Sequence, residues 1–372
     1  MKSVSFITAS VDGDLGFKGS IFQDGIGLDG AKVGGSVEFD DAKIAGSLRM
    51  DTATVGAHLL MRNAQLADVI LSSARIGGNV RFEDAKITGT LDMDSASIGT
   101  HLMMPKAELA IVNLPNTKIV GGVELGGTKI TGTLNMNSAT IGAHLLVAKA
   151  ELAVASLLNS KIAGIVDFTG AKITGTLDMD SASIGASLIA LDAQFADVDL
   201  QTIRVAAYIN LTGAKLTGEL NMNRADVVSL DLREAQLTKI SLVGAKLSSG
   251  DISGAKLAGA LEMWDANISG SLFLLGSELS DVSFIGAKIG GNVDFDNAKI
   301  GGKLDMNAAM IGASLLVRNA QLVAVDLAGI KVAAYVSLTG AKLTGELNLD
   351  RADVVFLDLQ KDGVIGLQLV DS

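Results

Sequence analysis

The sequence contains no cysteine, which excludes disulfides and thiolate metal sites and leaves the redox compartment open. Proline occurs only twice beside 43 glycines, which argues against a collagen-like chain. Aromatic residues make up only 4%, so small and aliphatic side chains must do the packing. No long hydrophobic run is present. Although 48% of residues are apolar, they alternate with polar ones and never reach the roughly 18 residues of a membrane helix, so no membrane association is expected. The opening Met1 to Phe6 lacks a long apolar stretch, so no signal peptide is expected and a cytoplasmic location is the default. A net charge of −11 disfavours a general nucleic-acid binder, which would carry a basic patch or stripe, and no direct nucleic-acid partner is expected.

What the chain does contain is one pattern, small-x-Ile-x-Gly-x-Leu-x-Met. Its Ile position returns every 11 or 10 residues, from Val11, Phe22, Val33 and Ile44 to Val354 and Val364. A fixed internal period marks a repeat architecture, so the chain is read as a single continuous domain, 1–372, despite its length. Within one unit Ala85, Ile87, Leu91 and Met93 are small or apolar, and Lys86, Thr88, Thr90, Asp92 and Asp94 between them are polar. That alternation predicts strands with one buried face. From Met93 to Ala96 the step lengthens from two to three and turns the chain. A helical reading fails, because Ile, Val and Thr are frequent, Gly89, Gly132 and Gly175 recur, and no stretch keeps a 3.6-residue period.

Each unit therefore supplies two short sides, with centres alternately six and five residues apart. Four sides need about 21–22 residues, and coils stacked at about 4.8 Å would give about 16–17 coils in a rod roughly 80 Å long. The expected fold is all-β, a parallel β-helix with four sides. A longer period of 43 is also visible: ITGTLDMDSASIG, ITGTLNMNSATIG and ITGTLDMDSASIG begin at Ile87, Ile130 and Ile173, each followed later by a ten-residue unit. One corner should then bulge on every second coil. The segments from Arg204 and Lys331, RVAAYINLTGAKLTGELNMNRADVVSLDL and KVAAYVSLTGAKLTGELNLDRADVVFLDL, point to tandem duplication.

Where the extra residue drops out, the chain runs in steps of five, AQLTK ISLVG AKLSS GDISG AKLAG, centred on Leu237, Leu242, Leu247, Ile252 and Leu257. This resembles the pentapeptide-repeat family, which has a small residue two before a central Leu or Phe. The resemblance implies a right-handed quadrilateral β-solenoid and, from some bacterial members, a DNA mimic that binds type II topoisomerases. The chain departs from that pattern by a sixth residue at most Ile-to-Leu corners and by Leu or Val two before the Met or Phe centre, as in Leu91-x-Met93 and Val80-x-Phe82. A larger, less square cross-section is expected. The dimerising C-terminal element of those members is not seen, since Val364 to Val370 still follows the repeat.

No residue is assigned a catalytic, cofactor-binding or metal-binding role, and no cofactor is implied. His58, His101 and His144 lie 43 residues apart in the same Gly-x-His-Leu context, and Ser187 takes the fourth place. Neighbours two coils apart would be separated by about 9.6 Å, too far to share one ion. The Thr88-Gly-Thr90, Thr131-Gly-Thr133 and Thr174-Gly-Thr176 triplets resemble the Thr-x-Thr pairs of ice-binding solenoids, but Ala110-Ile111-Val112 and Ala153-Val154-Ala155 interrupt them. Tight-turn backbone angles are the expected reason for their glycines. Asp92/Asp94, Asp178/Asp180 and Asp40/Asp41 should face water among Lys43, Lys86, Lys129, Lys172, Lys215, Lys299 and Lys342, a mixed-sign ladder that imitates phosphates poorly. Phe39, Phe82, Phe168 and Phe295, with Met50, Met93, Met136, Met179, Met222, Met263 and Met306, should fill the core. Trp264 should point outward as a contact residue.

No nucleophile with a His partner and no phosphate-binding loop is apparent. The sequence accordingly reads as a non-enzymatic scaffold or protein-interaction solenoid. Because the pattern runs from about Val4/Phe6 to Leu367/Leu369, little is left to serve as a cap, and a homo-oligomer through the solenoid ends is expected, its protein partner otherwise unknown. A DNA mimic acting on a type II topoisomerase is the alternative, and ice binding the third reading.

Overall fold

The computed structural model describes residues 4–359. These form two compact units, Met1–Ile189 and Ala190–Ser372. The register positions beyond 359, including Val364, Leu367 and Leu369, lie outside the described residues, and with them the whole repeat-like stretch from Val364 to Val370.

In the first unit the alternation in the sequence becomes short strands on four sides of a coil. One coil runs through Lys43–Ile44, Leu48–Arg49, Thr54–Val55 and Leu59–Leu60 and returns to its first side at Gln65–Leu66. Every strand pairs in parallel with the same side of the next coil. Gln65 sits opposite Lys43 on one neighbour and Lys86 on the other, coil lengths of 22 and 21 residues. Equivalent side chains therefore stack into ladders. The backbone bonds that hold the stack are short, such as Phe39 N–H to the Leu60 carbonyl at 2.7 Å and Val37 N–H to the His58 carbonyl at 2.8 Å.

The long and short coils alternate as expected. Ile87 pairs with Leu109, but Thr90 pairs with Ile111, so the register slips by one residue at that corner. The slip recurs between Ile130 and Thr133 and reverses on the intervening coils. A bulge of this kind absorbs one extra residue without breaking the ladder on either side.

The second unit is also a parallel β-solenoid, and it contains a coil with no extra residue. Asp226 pairs with Lys246, Val227 with Leu247 and Leu230 with Gly250 without any shift, a coil of 20 residues or five per side. Gly250 takes a place that Leu or Val holds elsewhere, and a Cβ there would come within 2.8 Å of the Leu272 side chain.

Inside each unit the core is a set of aliphatic ladders. The Phe and Met residues named above are all at most 1% exposed. The position just after most turns, where Ile203 and Ile330 are also fully buried, is filled by Ala. Thr117 and Thr128 replace it twice and stay buried, since their hydroxyls donate to the Met93 carbonyl at 2.9 Å and the Met104 carbonyl at 2.5 Å. No helix occurs among the described residues.

Candidate interaction surfaces

Each turn after a Met or Phe centre is closed by a bond from the fourth residue to the first, as in Ala96 N–H to the Met93 carbonyl at 3.0 Å. Its third residue adopts a left-handed backbone. Among the described residues, 22 such positions carry a side chain and 11 are glycine. Asn, Asp and Ser are frequent there, because short polar side chains tolerate this region better than most.

The glycines of the Thr-Gly-Thr triplets do something else, which corrects the sequence expectation. None of the three has a positive φ. A Cβ on Gly132 would lie 2.8 Å from the Ala110 carbonyl oxygen and one on Gly175 2.9 Å from that of Ala153. Gly89 would meet the Asp68 carboxylate and the Ala67 carbonyl. Close approach of the shorter coil, not turn angles, requires glycine at these corners.

The acidic pairs also differ from expectation. Asp92, Asp178 and Asp167 each accept the backbone N–H two residues on, at 3.0, 3.0 and 2.8 Å, and so brace the following turn. Asn135, Asn210 and Asn221 do the same at 3.1, 2.9 and 3.1 Å, so the brace needs an oxygen and not a charge. Asp40 is buried at 4% exposure rather than facing water. It accepts the Arg62 backbone N–H at 2.9 Å and its Nε–H at 3.0 Å. Burial would raise the Asp40 carboxyl, but the Arg62 hydrogen bonds and charge outweigh it and hold the group below the usual carboxylate range.

A second set of carboxylates, which the sequence reading missed, braces the bulges. Asp68, Asp197 and Asp281 sit at five-residue corners, and each accepts the N–H of the first extra-coil residue above it: Thr90, Glu219 and Lys303, all at 2.9 Å. The available signal was an Asp just before the Val of a short corner. At the equivalent places stand Ile111 and Val154, both partly exposed at 40% and 38%.

The histidines are closer than one residue per coil edge implies. The His101 and His144 rings are 6.3 Å apart, not about 9.6 Å, because the coil between them carries Gly122 and both rings lie against it. With Glu124 they place one ligand atom each within 4.8 Å of the others. Yet the His101 Nδ1 lone pair accepts the Gly122 N–H at 3.0 Å, which puts the ring proton on Nε2. His101 is then a donor, leaving His144 and Glu124 as too few ligands for a closed metal site. His58 is held in the same way by Asn79 N–H at 3.0 Å.

Charges on the first side alternate as a ladder. Lys86 pairs in register with Glu108, Glu108 with Lys129 and Lys129 with Glu151. Lys86 Nζ lies 2.9 Å from the Glu108 carboxylate. In the second unit Glu278 lies 3.5 Å from Lys256 and 3.4 Å from Lys299. Trp264 points outward, 44% exposed, and its Nε1–H donates to Ser283 at 2.5 Å. The Thr triplets form no continuous array, since Ile111 and Val154 occupy the alternate coils in register with them.

These parallel coils, with a five-residue side, a small residue and a central aliphatic, follow the five-residue grammar. The chain resembles the pentapeptide-repeat family. No family model matches the sequence, and no curated protein matches it. Among solved structures the chain is similar to HetL, a pentapeptide repeat protein involved in heterocyst differentiation regulation from the cyanobacterium Nostoc sp. strain PCC 7120. The identity is 17%, with 68% of this chain and 87% of that chain covered and a TM-score of 0.23. At that score the fold assignment rests on this chain's own strand register.

Proposed function

We propose that the chain is a non-enzymatic structural solenoid, a scaffold or protein-interaction element that self-associates through the ends of its coil stack. One observation carries this reading. In the first described coil Val4, Phe6, Val11, Leu15 and Phe17 are only half-buried, whereas one coil later Ile26, Leu28, Val33, Val37 and Phe39 are at most 4% exposed. The strands Val4–Ser5, Ser10–Val11 and Leu15–Gly16 have a described partner on one side only, at Ile26, Lys32 and Val37. Half-buried apolar side chains beside strand edges with a described partner on one side only favour the addition of a further coil. A second copy offers one of matching register.

Sedimentation velocity across micromolar concentrations tests this. Dimers or fibres are expected, and Phe6→Asp with Phe17→Asp should return the protein to monomer while its β-sheet signal persists. A monomer at every concentration would overturn the reading, because a single copy would then suffice to keep that coil soluble.

A further inference from the structure

On the third side of the first unit and the corner that follows it, successive coils read KVGGS, TVGAH, RIGGN, SIGTH, KIVGG, TIGAH, KIAGI and SIGAS, from position 32 to 187. This strip contains no carboxylate, although the chain carries 41 Asp and Glu and a net charge of −11. Lys32, Arg75, Lys118 and Lys161 are exposed on it, and no ion pair engages them among the described residues. They recur on every second coil, about 9.6 Å apart. On the coils between, the same row carries the hydroxyls of Thr54, Ser97, Thr140 and Ser183, in register with the cations.

Across the strip, on the hydroxyl-bearing coils, stand His58, His101 and His144. The backbone bonds to Nδ1 of His58 and His101 leave each with an Nε2–H to donate. Between the two rows the surface is mostly glycine, as at Gly56, Gly77 and Gly99, where the carbonyl of the coil below leaves no room for a Cβ. Carboxylates border the strip. On the preceding corner Asp29 and Asp51 are engaged by Arg49, Asp94 by Ser95 and Asn116, and Asp180 by Ser181. At the strip's edges Asp14 accepts the Ser36 N–H at 2.6 Å, and Glu124 stands beside His101 and His144.

We infer that this strip binds an extended acidic polysaccharide lying along the direction of coil stacking, with a uronate on every second sugar. A β-linked pyranose in an extended chain advances by about one coil spacing. Each uronate then meets a Lys or Arg, and each intervening neutral sugar meets a hydroxyl and an imidazole N–H. Nucleic acid fits less well, since its strand presents a charge every ~3.4 Å along a duplex and most phosphates would find no cation.

The test is affinity electrophoresis and calorimetry of the full chain with hyaluronan, whose uronates fall on alternate sugars, beside a neutral β-glucan and duplex DNA. Binding to hyaluronan alone is expected, weakening as salt shortens the screening length. Arg75→Ser with Lys118→Ser should lower affinity about tenfold, the sum of two exposed charge contacts, whereas Lys86→Ser with Lys129→Ser, the same charge change on another side, should not. Glu124→Gln, which removes the carboxylate beside His101 and His144, should raise it. No binding to hyaluronan, DNA binding as tight as hyaluronan binding, or equal losses in the two double variants would each overturn the inference.

Discussion

Asp68 shows how much a single oxygen contributes to a bulged coil. Its carboxylate accepts the Thr90 N–H at 2.9 Å, a backbone donor that would otherwise be stranded where the register slips from Leu66 opposite Ile87 to Val69 opposite Leu91. Asp68→Ala should cost about 1 kcal/mol in a denaturant titration, and Asp68→Asn, which keeps an acceptor, much less. Ala308 holds a left-handed backbone, φ 55°, without a side chain suited to it. Ala308→Gly should stabilise by about 0.5–1 kcal/mol, the relieved strain exceeding the entropy that glycine adds to the unfolded chain. Asp294 is a third case. Burial is the main cause that pushes its carboxyl above the usual range, while it accepts the Asp296 N–H at 2.9 Å. A raised acid favours the protonated native state, so its ionisation costs stability as pH rises. Asp294→Asn places there the side chain that already braces the turn at Asn135 and Asn221. It should raise the unfolding midpoint at neutral pH, and the gain should vanish below about pH 4.

At the scale of the element, the unit of stability is the coil and its two neighbours. Met136 is fully buried between equivalent ladder positions of the first unit, and its own coil is tied to the next by Met136 N–H to the Ser156 carbonyl at 2.7 Å. Met136→Ala should cost about 2–5 kcal/mol through the cavity it leaves. Because coils interact chiefly with adjacent coils, hydrogen exchange should show the lost protection concentrated on the coils either side and fading beyond them. Uniform loss of protection across the unit would show a longer-range cooperativity than nearest-neighbour stacking provides. The alternation of long and short corners also belongs here. It was legible in the ten-residue lapses, but the Asp68, Asp197 and Asp281 braces were not, because their partners lie 22 residues away and meet them only after the coil closes.

For the molecule as a whole, the acid limit of stability follows from carboxylates such as Asp40, Asp231 and Asp326. Burial raises each, but Arg62, Arg233 and Lys303 respectively bind the ionised form more strongly and bring it below its ordinary value. A lowered acid contributes stability that is present above the unfolded pKa, about 3.9, and is lost as pH falls through the folded value. Thermal melts should therefore hold steady above about pH 5 and fall below about pH 4. Arg62→Gln should shrink the part of that fall due to Asp40. The charge pattern differs by side in the first unit, with a Lys/Glu ladder on one and an acid-free strip on another, so salt should affect ligand binding on the strip more than folding.

The sequence by itself determined the parallel four-sided coil, the inward Phe and Met ladders and the bulge on alternate coils of the first unit. The expectation of a single bulging corner fails in the second unit, where a second corner slips at Val205/Tyr208 and Val332/Tyr335 beside the one at Ile300/Lys303. A period of 11 or 10 residues with strict alternation admits no other way to bury one face and pair every strand. Tertiary structure alone decided what the outward residues do. Asp40 is buried because Arg62 stands on the next coil, and His101 reaches His144 because Gly122 leaves the space between them empty. Contacts of this kind depend on which side chains stack one coil apart, and that distance along the chain carries no local signal.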